Sequence, residues 1–133
     1  WKKYFKILHS ILKPGGKMII QTITINNNDY SSYRRCSDFI QQYIFPGGLL
    51  PSPDIFKSTA VRQGFKYVGD FEFGLDYGLT LKRWEENFTR VLDKIKDLGF
   101  DEKFIRTWKF YLKYCQGGFE AKKISVSQFN FTK

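Results

Sequence analysis

The chain has 133 residues, 42% hydrophobic and 19% aromatic, with 22 Lys and Arg against 13 Asp and Glu and a formal net charge of +9. So many aromatics exclude a disordered tail, which lacks the apolar surface to offset its ordering entropy. Two cysteines, Cys36 and Cys115, in neither CxxC nor metal spacing, exclude a disulfide-stapled mini-domain and read as free thiols of a cytosolic protein.

Tyr4, Ile7, Leu8, Ile11 and Leu12 recur at helical spacing, and Pro14-Gly15-Gly16 stops that helix. His9 lies within it and is expected on its surface. Met18–Ile25 reads as a strand, its β-branched run suiting burial on both faces of a mostly parallel sheet. Ligands of such sheets sit beyond the strand C-termini, which here leads to a polar loop, Asn26–Asp29. Tyr30–Tyr43 is expected to form a short helix at the edge of a site. Ile44–Pro53 then reads as a kinked apolar loop, with prolines fixing φ and Gly47-Gly48 allowing a sharp turn.

Asp54–Gln63 is predicted to be a helix capped by Ser52 or Asp54, and Phe65–Phe73 a strand. A long helix is expected from Asp76 or Thr80, with Leu79, Trp84, Phe88, Val91, Leu92 and Ile95 on one face. Asp101 caps the next helix, which turns Phe104, Ile105, Trp108, Tyr111, Leu112 and Cys115 inward and ends at Gly117-Gly118. Ile124–Phe131 closes the chain as a hairpin partner or an insertion into the sheet. The aromatics suit a Phe-rich core or a wide apolar pocket. No stretch approaches the ~20 apolar residues of a membrane span, and no signal peptide is visible. The charge suits a polyanion or a plain solvated surface. Lys2-Lys3, Arg34-Arg35 and Lys122-Lys123 are only pairs, too short for a nucleic-acid patch.

Leu12-Lys13-Pro14-Gly15-Gly16-Lys17 resembles the turn before the fifth strand of class I methyltransferases. Asp38–Ser52, with Tyr43-Ile44-Phe45-Pro46-Gly47-Gly48-Leu49-Leu50 at its centre, resembles the lid of cyclopropane-fatty-acyl-phospholipid synthases. Gly74-Leu75-Asp76-Tyr77 and Phe104–Phe119 resemble later segments of the same family. The resemblance implies an α/β fold, the C-terminal part of a class I (Rossmann-like) S-adenosylmethionine-dependent methyltransferase with a helical lid insertion. Residues 1–28 would end the methyltransferase core, 29–53 form the lid and acyl pocket, and 54–133 complete the core.

The resemblance further implies methyl transfer from S-adenosylmethionine to a cis double bond of a phospholipid acyl chain, closing a cyclopropane, with bicarbonate taking the proton. It assigns Phe45, Pro46, Gly47, Gly48, Leu50 and Tyr77 to substrate binding. Tyr111, with Tyr114 as a lesser candidate, matches the family's catalytic Tyr, Tyr43 stands where members carry a Glu, and Glu72 falls near the expected His. Replacement of those groups leaves open methylation without ring closure. The implied partners are a phospholipid surface, approached peripherally from the cytoplasmic side of the inner membrane, and the N-terminal half of the same enzyme, but no nucleic acid. Because the Gly-rich cofactor loop is not in the sequence, the chain alone is expected to bind cofactor poorly and to be inactive. A different methyltransferase, a basic lipid- or nucleic-acid-binding module and a structural piece are the rival readings.

Overall fold

Lys2–Ile11 forms helix α1 in a computed structural model that describes residues 1–133. Phe5 is its buried residue, and His9 is half-buried rather than on the surface, with its ring edge-on to Phe65 at 5.2 Å. The helix C-terminus is held by the far end of the chain, where Lys133 Nζ donates to the carbonyls of His9 and Leu12. Strand β1, Lys17–Ile25, follows, then α2, Asn27–Tyr33, and a single π turn, Ile40–Ile44. The remaining elements are α3 (Pro53–Arg62), β2 (Lys66–Glu72), α4 (Gly74–Arg90), α5 (Leu92–Asp97), α6 (Glu102–Glu120) and β3 (Ile124–Thr132).

The sheet order is β1-β3-β2, and both pairings are antiparallel. This corrects the expectation of a mostly parallel sheet burying β1 on both faces. The β-branched run marks a strand, but it encodes neither the direction nor the number of its partners. One face of β1 carries Met18, Ile20, Thr22 and Thr24 and packs toward α1 and α3. The other carries Ile19, Gln21 and Ile23, which are exposed, and Ile25, which is buried. Alternation puts Val126 and Ile124 of β3 on the second face and Ser127, Phe129 and Phe131 on the first.

Helices therefore cover both faces. On one, Phe5, Met18, Phe56, Ala60, Phe65, Phe129 and Phe131 make the main core. Phe56 lies 4.9 Å from both Phe5 and Phe129, ring to ring. On the other, Leu81 of α4 and Leu112 and Phe119 of α6 close over Val126. Ser52 is the α3 cap, accepting from Ile55 N, and Asp101 caps α6 at 2.7 Å from Phe104 N.

Two glycines explain where helix boundaries depart from the sequence reading. α4 starts at Gly74, not at Asp76 or Thr80, and a Cβ on Gly74 would sit 2.5 Å from Ser125 Oγ, so the glycine lets the helix begin close against β3. Its inward stripe is Gly74, Gly78 and Leu81, while Leu79, Trp84 and Val91 are exposed. A break at Val91 separates it from α5. α6 runs through Gly117-Gly118 to Glu120 instead of ending there. A Cβ on Gly118 would meet Ile124 at 3.1 Å, so the glycine serves close approach of helix and strand rather than termination.

Candidate functional site

The C-terminal end of β1 brings Ile23 and Ile25 to one side of the sheet. The next residues are not the expected loop: Asn26 caps α2, accepting from Asn28 N at 2.9 Å, so the turn to helix is immediate. Asp29 pairs with Lys123 at 3.0 Å, tying α2 to the start of β3.

Asp38 and Gln41 form a reciprocal cap at the start of the π turn. Gln41 N donates to Asp38 Oδ1 at 2.9 Å, and Asp38 N donates to Gln41 Oε1 at 3.0 Å. The Gln41 amide also donates to Gly48 O at 2.8 Å, and Gly48 N turns back to Phe45 O at 2.9 Å. Leu50 N donates to the Tyr33 hydroxyl at 3.3 Å. These bonds fasten the Phe45–Leu50 loop to α2 and the π turn.

Between this assembly, β1 and α6 lies a cavity of about 930 Å³. Most of its lining is apolar, and α6 contributes Tyr111, Tyr114, Cys115 and Phe119. Tyr111 is half-buried, its ring 6.3 Å from Phe45 and 5.1 Å from Trp108. Burial raises the pKa of its hydroxyl above the ordinary tyrosine value. Tyr33 and Tyr114 are raised by burial too, with the Asp38 carboxylate adding to both. The Tyr114 hydroxyl donates to Asp38 Oδ2 at 3.5 Å. Low dielectric and one fixed negative charge therefore keep the wall's hydroxyls protonated.

The same two effects push the Cys115 thiol up to about 11 from 9.0, burial first and Asp38 second. The thiolate is the reactive form. Iodoacetamide at about pH 8 is expected to label the exposed Cys36 and spare Cys115. Cys115 should gain reactivity only as pH nears 11. The unfolded chain loses this proton first as pH passes 9.0, so the thiol's contribution to stability declines between 9.0 and about 11. Equal labelling of the two cysteines at about pH 8 would contradict the burial.

Of the residues singled out from the sequence, Phe45, Gly48, Leu50 and Tyr111 line the cavity. Pro46 and Gly47 are exposed in the loop and outside that lining. Tyr43 points away, 68% exposed, against Phe39. Tyr77 packs on Phe119 at 5.4 Å in the second core cluster. Glu72 pairs with Ser127 on the opposite face of the sheet and borders a separate polar cleft with Thr24 and Ser125. Tyr111, Tyr43 and Glu72 are thus not brought together. Asp38, Tyr33 and Tyr114 share the wall with Tyr111, together with Asp29, Ser32, Gln41, Lys113 and Lys123. The sequence signal for Asp38 is its spacing from Gln41, an acid three residues ahead of an amide at a helix start.

A family model described as mycolic acid cyclopropane synthetase matches residues 1–129. The chain belongs to this family. The tuberculostearic acid methyltransferase UfaA1 of Mycobacterium tuberculosis is 37% identical over 134 residues, covering 100% of this chain and 31% of that protein. The cyclopropane-fatty-acyl-phospholipid synthase of Escherichia coli K12 is 32% identical over 130 residues, covering 98% and 32%. The chain thus spans about a third of the length of these relatives, matching their C-terminal portions. The cyclopropane synthase MmaA2 of M. tuberculosis superposes with a TM-score of 0.88 at 23% identity, over 99% of this chain and 49% of that one. The mycolic acid cyclopropane synthase CmaA1, solved with SAH and CTAB, gives 0.87 at 25%, over 99% and 49%. The architecture is that of the C-terminal portion of an S-adenosylmethionine-dependent methyltransferase. No helix of this cyclopropane synthetase family member is long and apolar enough to cross a membrane.

Proposed function

We propose that this chain is the acyl-binding portion of an enzyme that transfers a methyl group to the cis double bond of a phospholipid acyl chain and closes a cyclopropane ring. The apolar cavity carries the reading. Its volume of about 930 Å³ is of the size that holds an extended small ligand, and most of its wall is apolar. A carbocation formed on the alkene is compatible only with a site that excludes water. The faces of Tyr111 and Phe45 offer such a cation a negative quadrupole.

S-adenosylmethionine would supply the methyl group as an electrophile. The residues of this chain do not themselves fit it. The cavity wall lacks the array of polar partners that an adenosine and an amino-acid head require, and Asp29 is already engaged by Lys123 at 3.0 Å. We assign the cofactor's seat to the rest of the full-length enzyme, whose relatives are about three times the length of this chain. Bicarbonate does not fit either. The carboxylate that faces Tyr114 is Asp38, which would repel an anion. Ring closure releases a proton from the transferred methyl group, and the Asp38 carboxylate on the cavity wall beside Tyr114 would accept it, while Tyr111 orients the acyl chain through its ring. The enzyme would work at the cytoplasmic face of the inner membrane.

Methylation without ring closure is the second reading, favoured by the 37% identity to a protein named as a methyltransferase. Product analysis decides between them. The full-length protein is mixed with S-adenosylmethionine and vesicles of cis-unsaturated phospholipid, and the acyl chains are followed by mass spectrometry and proton NMR. Upfield ring protons with a gain of one methylene are expected. The same gain with a vinylic signal would support methylation alone, and no gain would sink both readings.

A further inference from the structure

We propose that Gln41 decides the product: by holding the Asp38 carboxylate in one orientation it directs proton loss to the transferred methyl group, which closes the ring. This rests on the reading of the cavity as the acyl site and of Asp38 as its proton acceptor, and adds a positioning residue for that step.

After methyl transfer the acyl chain carries a cation beside the new methyl group, and two proton losses compete. If a methyl C–H bond breaks, its electron pair closes the bond to the cationic carbon and a cyclopropane forms. If a C–H bond on the next chain carbon breaks, its pair forms a new double bond and a methyl-branched alkene results. Either proton passes to a base within reach, so the position of the base selects the product.

The cavity wall carries two carboxylates, Asp29 and Asp38. Asp29 is neutralised by Lys123 at 3.0 Å. Burial and the charge of Asp38 keep the Tyr33 and Tyr114 hydroxyls protonated. Asp38 is therefore the base of the wall, and its two oxygens are not equivalent. Oδ1 accepts from Gln41 N at 2.9 Å, whereas Oδ2 meets the Tyr114 hydroxyl at 3.5 Å, a marginal length that leaves it free to accept a proton. The Gln41 side chain closes the clamp from the other side. It accepts from Asp38 N at 3.0 Å and donates to Gly48 O at 2.8 Å. A carboxylate gripped through one oxygen and through its own backbone cannot turn without breaking a hydrogen bond. Gln41 also lies in the π turn, which Phe45 N closes on Ile40 O at 2.8 Å, and single π turns concentrate at functional sites. One side chain thus registers the Phe45–Leu50 loop, against which the acyl chain would lie, to the oxygen that takes the proton. Its neighbour Gln42 is exposed and outside the cavity lining, and its amide reaches Ser37 O only at 3.5 Å.

The test uses the full-length protein with S-adenosylmethionine and vesicles of cis-unsaturated phospholipid. It reads the release of S-adenosylhomocysteine and the ratio of cyclopropane to methyl-branched alkene. In Gln41→Ala the release should hold near the wild-type rate while the ratio falls about tenfold or more, as expected for a reacting group misplaced by about 1 Å. Asp38→Asn keeps the cap through its amide oxygen but accepts no proton, and it should lower the ratio at least as far. Gln42→Ala should leave the ratio unchanged. A raised KM for the lipid with an unchanged ratio in Gln41→Ala would make Gln41 a tether of the loop alone and overturns the proposal. So does a loss of S-adenosylhomocysteine release in step with the ring product, which reports a damaged site and not a misdirected proton. An equal fall in Gln42→Ala, or an unchanged ratio in Asp38→Asn, overturns it as well. A wild type that yields no ring defeats the ring-closing reading itself and the proposal with it. A wild type that closes the ring no better than Gln41→Ala defeats the proposal alone.

Discussion

Phe56→Ala is expected to lower the unfolding free energy by about 3–5 kcal/mol. Phe56 is fully buried and is, with Ala60, the residue by which α3 is fixed to the rest of the fold. Its ring lies 4.9 Å from Phe5 of α1, 4.9 Å from Phe129 of β3 and 5.3 Å from Trp1. Truncation leaves a void bordered by three elements that cannot all close on it, because each is held by its own hydrogen bonds. A domain of ordinary stability, about 5–15 kcal/mol, would lose about a fifth of it or more. In thermal or urea unfolding the midpoint should fall by roughly 10 °C or its equivalent. Val61→Ala, the exposed neighbour in the same helix, should change stability by about 0.5 kcal/mol or less. Equal effects of the two substitutions would mean that the main core is misassigned.

Ile23→Trp should cut kcat/KM for the lipid about tenfold or more in the full-length enzyme, with little change in stability. Ile23 is on the cavity wall near the end of β1 and is partly exposed into that space. An indole there would occupy volume that the acyl chain needs while meeting no packed neighbour. Ile19→Trp is the control, on the same strand and the same face but outside the cavity lining. Its turnover should match the wild type. If both variants turn over normally, the cavity is not where the chain binds. If both fail equally, the effect belongs to the β1 surface and not to the cavity.

Much of the local structure was legible in the sequence because its causes are local. The spacing of Tyr4, Leu8 and Ile11, the caps Ser52 and Asp101, and the inward stripe from Phe104 to Cys115 all appear as read. What was not legible depends on distant partners. That β3 is the central strand, pairing Phe131 with both Met18 and Tyr67, cannot be read from its own alternation. Gly117-Gly118 looks like a helix end by propensity, but the contact with Ile124 overrides that preference.

The site divides along the same line. Phe45, Gly48 and Leu50 reach the cavity because the loop that carries them is short and tied at Gln41 and Tyr33. Glu72 and Phe71 are adjacent in β2 yet point to opposite faces, so a residue chosen by its place in a motif can land on the wrong side of the sheet. Tyr77 and Tyr43 differ from Tyr111 in the same way, by which side of a helix or turn faces the space. Asp38 and Gln41 cap each other through a local spacing, but only the fold brings Asp38 to Tyr114 and the cavity wall.

The most direct test of the central claim is photo-crosslinking of the full-length enzyme with a phospholipid bearing a diazirine near the middle of its acyl chain, followed by peptide mapping. Adducts on Ile23, Leu50, Tyr111 or Cys115, lost on competition with an unlabelled cis-unsaturated phospholipid, are the expected result. Adducts confined to Phe71–Leu79, or a pattern in this chain that competition does not change, would contradict the assignment of the cavity as the acyl site.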